Sequence, residues 1–275
     1  MKIHDVLTPS FRLLHHQLGH DRTGYQYPIW QQRLSSDSDF CRAVVANGYL
    51  SRQQMQHAAQ RYLLGRSRDG GVIFWQMVST EQVFDGKIMY YRTDCHRDHE
   101  RHPQWVSNLL KRHYLQQCPQ IAPYLPAFSH CLFGTQLIYP PSAHSKLSTL
   151  NSQLPPREGT EVGLHVCVVE AEKTAVILSE HYPQQLWMAA GGLFELTAQK
   201  LFPLRHHKVT LFPDTDTDGK AYTRWYDIAH EARRLYGIDI TVSSLLERRA
   251  TPEQKQRKID LIDFLFDSPS LNPET

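Results

Sequence analysis

The sequence predicts an α/β protein in which a parallel sheet flanked by helices follows a smaller α+β subdomain. Three observations carry this reading. From about residue 161 onward, short apolar runs alternate with amphipathic helical stretches, the pattern that βαβ crossovers require. Residues 140–160 are rich in Pro, Ser, Gln and Asn, with Pro140-Pro141 and Pro155-Pro156, which marks a linker. Upstream of that linker, two β-rich runs separated by a polar break have the form of a hairpin. The expected organisation is therefore an N-terminal segment (1–35) without assigned chemistry, the α+β subdomain (36–139), the linker (140–160), the α/β domain (161–268) and a tail (269–275).

The elements follow in order. Phe40, Val44 and Val45 share one helical face, and Ser51 is placed to cap a second helix running through Met55, Ala58, Ala59 and Tyr62. A turn at Arg66-Ser67-Arg68-Asp69-Gly70-Gly71 launches the hairpin, with strands over 72–77 and 83–91 and a break near 79–82. A His/Arg-rich loop precedes a helix over 105–114, and Leu132-Phe133-Gly134 opens another short element. In the second half, strands are expected at 166–169, 186–190, 209–212 and 238–242. Helices are expected at 173–182, from the Gly191-Gly192 turn to Leu201, and through Ala221, Trp225, Ile228, Ala229, Ala232 and Leu235, with Gly237 as the stop.

Composition narrows the function classes. Hydrophobic residues make up 41% and charged residues 21% of the 275 residues, ordinary values for a globular protein. No apolar run approaches the roughly 20 residues that span a bilayer, and the N-terminus lacks a signal-peptide core, so a cytoplasmic protein without membrane contact is expected. Cys41, Cys95, Cys118, Cys131 and Cys167 are scattered and form no Cys-x-x-Cys pair, which argues against a disulfide framework and a zinc ribbon. Cys95, His96, His99 and His102 are the best zinc candidates, yet they lack a second cysteine pair. Net charge is +2, but residues 41–113 carry eleven Lys/Arg against six Asp/Glu. A basic lobe beside an acidic site is the layout of nucleic-acid enzymes, although solvated arginines produce the same count.

Acidic residues collect where function collects in parallel sheets, beyond the carboxyl ends of strands. Glu170 ends the first strand of the second half, Asp214, Asp216 and Asp218 follow the third, and Asp260 and Asp263 come after the fourth. Carboxylates gathered at one edge repel unless a hard cation neutralises them, and oxygen donors of this kind suit Mg²⁺. The 214–219 turn also starts like an EF-hand loop, but Trp225 stands where the bidentate acid belongs, so calcium is not expected. The alternative is a solvated turn that caps the next helix.

These residues carry a resemblance. Glu170-Ala171-Glu172-Lys173-Thr174-Ala175 after an apolar strand resembles the Glu-Gly-Glu-Lys-Thr-Ala opening of Toprim domains in primases and mobile-element proteins, with Ala171 where Gly is usual. Asp214, Asp216 and Gly219 match the second Toprim motif, and Lys258, Asp260 and Asp263 resemble its third acidic element. Upstream, Val72-Ile73-Phe74-Trp75, then Gly86-Lys87, then Leu132-Phe133-Gly134 are similar to the basal subdomain of bacterial and phage primases. The arrangement also looks like an uncharacterised Toprim-like family of mobile elements and phages, whose members often begin with a zinc finger.

The resemblance implies a Toprim-type sheet, a primase-like basal subdomain and Mg²⁺ or Mn²⁺ as cofactor. It casts Glu170 as general base or metal-adjacent carboxylate and Asp214 and Asp216 as metal ligands. Asp218 would join the metal shell, while Asp260 or Asp263 would hold a second ion or orient Lys173. Lys87, Arg92, Arg97 and Lys111 would contact triphosphate or template backbone, unless they are solvated charges. Trp75, Tyr90 and Tyr91 either stack on bases or are buried by the hairpin. The implied activity is a primase-like nucleotidyltransferase using single-stranded DNA and nucleotides for a mobile element or phage. A helicase or a separate zinc-binding template-recognition protein would be its partner. An Mg²⁺-dependent nuclease and a non-catalytic adaptor remain alternatives.

Overall fold

The computed structural model describes residues 29–79, 82–117, 119, 130–139 and 163–266. Most of the N-terminal segment, the linker, the tail and Cys118 lie outside the described residues. The chain divides into two compact units: Met1–Cys131 with Thr135–Pro155, and Leu132–Gly134 with Pro156–Thr275.

Among the described residues, the first unit begins with α1 (Ile29–Gln32), α2 (Asp39–Ala46) and α3 (Arg52–Arg61). Ser38 caps α2 by accepting from the Cys41 N–H, and Ser51 with Gln54 forms a reciprocal capping box at α3. Four strands follow, β1 (Gly65–Arg66), β2 (Val72–Ser79), β3 (Gln82–Met89) and β4 (Gln104–Trp105). They form an antiparallel sheet in the order β1-β2-β3-β4. After β4 comes α4 (Val106–Gln117), and a 3-10 turn spans Thr135–Ile138.

Residues 72–77 of β2 are buried without alternation because both faces of the hairpin are covered. One face carries Trp30, Ile73, Trp75, Ile88, Val106 and Leu110 in a single apolar cluster. On the other, Phe40 meets Phe74 edge-on with ring centroids 5.7 Å apart. Coverage of both faces answers the question about the aromatics: Trp75 and Tyr90 are core residues, and Tyr91 packs its ring 4.9 Å from Phe40.

The second unit alternates as the sequence predicts. Its elements are β5 (His165–Val169), α5 (Glu172–His181), β6 (Leu186–Ala189), α6 (Ala198–Leu201), β7 (Lys208–Phe212), α7 (Lys220–Tyr236) and β8 (Asp239–Val242). Three short helices follow among the described residues, α8 (Leu245–Arg249), α9 (Pro252–Arg257) and α10 (Leu261–Phe266). The strands form a parallel sheet in the order β6-β5-β7-β8. Val166, Val168 and Val169 are fully buried, each contributing about 1.5–3 kcal/mol of apolar burial. Phe133 adds an antiparallel bridge to β6 at Ala189.

Two local readings need correction. The helix after Gly191-Gly192 is only the four residues of α6, because Thr197 caps it and the preceding stretch is loop. Leu235 is 46% exposed rather than core. The buried arc of α7 is centred on Ala221, Trp225, Ala229 and Ala232, and Leu235 falls at its rim. Gly237 ends α7 as expected, at φ 65°, a left-handed conformation that favours glycine.

Candidate functional site

The order β6-β5-β7-β8 means that the chain leaves β5 toward one side and returns on the other. In open parallel sheets, ligands bind beyond the carboxyl ends of the strands at such a reversal. Val169 and Phe212, the last residues of β5 and β7, are register partners. The next acids are Glu170 and, one residue beyond Pro213, Asp214. Two apolar strands therefore deliver one carboxylate each to the same point of the sheet edge.

Asp214 shows how strained this edge is electrostatically. Burial raises its carboxyl well above the ordinary aspartate range, and repulsion from Glu170, Asp260 and Asp263 raises it further. Lys173 opposes the shift and is too weak to cancel it. So Glu170, Lys173, Asp260 and Asp263, from both ends of this unit's sequence, all act on Asp214.

The later acids are tied into α5 and α10. Asp260 accepts from Thr174 Oγ1 at 2.9 Å and pairs with Lys173 Nζ at 3.5 Å. Its other oxygen accepts from the Asp263 N–H at 2.8 Å, while Asp263 accepts from the Asp260 N–H at 3.3 Å. This is a reciprocal cap at the start of α10. The Asp214 loop is stitched to the same segment by the Thr215 N–H, which donates to Ile259 O at 3.2 Å.

Asp216 and Asp218 do different work. Burial by itself would raise Asp216, but the backbone N–H groups of Ala221, Lys220, Asp218 and Gly219 hold it below the usual range. Its two oxygens accept from Asp218 N, Lys220 N and Ala221 N at 2.8–3.0 Å, closing the first turn of α7. Asp218 is exposed and pairs with Lys220 at 2.6 Å. The structure thus makes Glu170, Asp260 and Asp263 electrostatic neighbours of Asp214 and gives Asp216 and Asp218 to the helix start.

Sequence reasoning passed over two participants. Thr174 stood inside the run already quoted, and a helix starting there brings it to Asp260. Glu247 accepts from Thr215 Oγ1 at 3.2 Å and is neutralised by Lys255 at 2.9 Å. Nothing in the local sequence of α8 signals that contact.

The basic candidates belong to the first unit. Lys87 is only 8% exposed within β3. Arg92 pairs with Asp94 at 2.8 Å, the exposed Arg97 forms an isolated bridge with Tyr91, and Lys111 is half-buried on α4. Cys95 is buried, whereas His96, His99 and His102 are exposed.

Among the described residues, no three His, Cys, Asp or Glu side chains form a group that could hold a metal ion by themselves. Mg²⁺ is commonly held through one or two carboxylates, with water and substrate phosphate completing its shell. Glu170 and Asp214 fit that requirement in donor type, and Asp214 has Glu170, Asp260 and Asp263 as like-charged neighbours. Asp216 fits less well, since backbone N–H groups already occupy both of its oxygens.

Fold and site together define an α/β protein with a carboxylate cluster at the switch point of a parallel sheet. The chain belongs to the family described as a domain of unknown function (DUF6371), whose model matches residues 39–149 and 159–215. No curated protein matches the sequence. The family match takes in Glu170, Lys173 and Asp214 and ends before Asp260 and Asp263.

Proposed function

We propose that the protein is a divalent-cation-dependent enzyme of nucleic-acid phosphodiester chemistry, a primase-like nucleotidyltransferase acting on single-stranded DNA with a Toprim-type second unit. The observation that carries this reading is the raised Asp214 carboxyl beside Glu170, Asp260 and Asp263. Such a group lowers its energy by taking up protons or a cation, and a cation also draws in phosphate. Glu170 and Asp214 are the residues that would hold Mg²⁺ or Mn²⁺. When bound, the ion would neutralise charge developing on phosphate oxygens. Glu170 also accepts the proton of the attacking hydroxyl. Lys173, fixed by Asp260, offsets negative charge at the edge.

Hydrolysis is the second reading, favoured by the burial of Lys87 and the pairing of Arg92 with Asp94. These contacts leave Lys87 and Arg92 less available to incoming nucleotides than the first reading asks of them.

The test incubates purified protein with Mg²⁺ or Mn²⁺, single-stranded DNA and labelled nucleotides, beside Glu170→Gln and Asp214→Asn. Labelled products longer than the input nucleotide, lost in both variants, support the nucleotidyltransferase. Shortened DNA selects the nuclease. DNA binding without turnover removes the enzymatic reading and leaves an adaptor.

A further inference from the structure

Glu247 and Lys255 have no part in the proposed chemistry, yet they reach the turn that carries Asp214. Thr215, the next residue, is 1% exposed and is held twice. Its N–H donates to Ile259 O at 3.2 Å, and its hydroxyl donates to Glu247 Oε1 at 3.2 Å. The second Glu247 oxygen accepts from Lys255 Nζ at 2.9 Å. That oxygen also lies 3.9 Å from the position a Cβ would take on Gly219. One side chain from α8 therefore touches the turn both at Thr215 and just before α7.

Asp214 sits between fixed points. Phe212 ends β7 in register with Val169, and Pro213, whose ring locks φ, is buried. Beyond Thr215, both oxygens of Asp216 are taken up by N–H groups at the start of α7. Side chains at consecutive positions leave the backbone in different directions, so a grip on Thr215 also sets the direction in which Asp214 departs. The peptide joining them cannot rotate without breaking the bond to Ile259 or the bond to Glu247. Ligand aim is set by such outer contacts, and it governs metal affinity alongside ligand identity.

The choice of acceptor argues for aim over bulk stability. A threonine hydroxyl can be satisfied locally, as Thr223 is by Gly219 O at 2.9 Å. Thr215 is instead given to a carboxylate 32 residues away. The Glu247 and Lys255 side chains keep 20% and 25% of their exposure, and an ion pair partly open to water adds little to global stability.

We infer that Glu247, braced by Lys255, is a positioning residue for Asp214, gripping Thr215 so that the neighbouring carboxylate keeps its place at the sheet edge. The consequence for metal affinity rests on the reading of Glu170 and Asp214 as the residues that hold the divalent ion.

Titration of the full chain with Mn²⁺, followed by electron paramagnetic resonance, tests it beside thermal melting and hydrogen exchange in EDTA. Glu247→Ala and Thr215→Val are expected to weaken Mn²⁺ binding roughly tenfold or more while melting close to the parent. Glu247→Gln, which keeps an oxygen for the Thr215 hydroxyl, should recover most of that loss. In EDTA, exchange over residues 213–218 should quicken in Glu247→Ala and Thr215→Val, with β5 unchanged. Parental affinity in both variants overturns the inference. So does a loss accompanied in both by a large fall in melting temperature, which marks general loosening. If the parent itself binds no Mn²⁺, the metal reading fails and exchange alone decides the grip: quickened exchange over 213–218 sustains it, and unchanged exchange overturns it.

Discussion

Asp85 and Asp214 are both aspartates at a sheet, one buried in the first unit and one half-buried in the second, and they are treated in opposite ways. Asp85 is fully buried in β3 and accepts from its neighbour Gly86 N, from Ser107 N and Oγ, and from His130 Nε2 at 3.4 Å. Ser107 lies in the first turn of α4, so Asp85 caps that helix from a strand, while His130 is held in a stack on Trp105 at 3.9 Å. Asp214 has three carboxylates and one lysine as its electrostatic company. A carboxylate surrounded by donors stabilises the fold it sits in, and one surrounded by acids destabilises it until something cationic arrives. Asp85 is buried and Asp214 half-buried, but the sign of the neighbours is what sets their roles apart.

The sharpest way to break this contrast is to neutralise the strained acids. Glu170→Gln and Asp214→Asn are expected to lower nucleic-acid turnover by roughly a hundredfold or more without lowering the melting temperature. If Asp214→Asn unfolds the protein instead, its carboxylate is structural like that of Asp85. Asp85→Ala is expected to cost about 2–4 kcal/mol in urea denaturation, because buried N–H groups lose a charged acceptor.

Adding Mg²⁺ sharpens the comparison next. It should raise parental stability by about 2.7 kcal/mol at a hundredfold excess over Kd, with little effect on Asp214→Asn. In EDTA, pH separates the same pair of proteins. The folded Asp214 carboxyl is raised, so its contribution is intact while the unfolded acid would still be protonated. That contribution drains away as pH climbs through the raised value. Urea midpoints should accordingly show Asp214→Asn gaining on the parent from acid toward neutral pH. The smallest expected change is Ser51→Ala, which removes the capping box of α3 for about 1 kcal/mol and leaves turnover alone.

The sequence revealed much of the edge and less of how its groups are used. Glu170 and Asp214 were legible because each ends an apolar strand that parallel pairing carries to one side. Ser51 was legible because a hydroxyl three residues before Gln54 is a local signal. Asp216 was ambiguous, since an Asp-x-Asp turn has the same spelling whether its oxygens face a cation or the N–H groups of α7. Lys87 is buried because both faces of the hairpin are covered, and no property of β3 alone reports what packs on it. The Asp260 link to Thr174 spans |i−j| = 86, and single-sequence periodicity does not reach that far.

Phe133 trades two backbone hydrogen bonds with Ala189, at 2.9 and 3.0 Å. Those bonds occupy the outer rim of β6, an end strand of its sheet. A fragment begun at Pro156 would strip that rim and offer bare N–H and C=O groups to other copies, a known route to strand-by-strand clumping. Fragments meant to stay dispersed should therefore start ahead of Leu132, even though the proline-rich stretch after it looks like the natural place to cut.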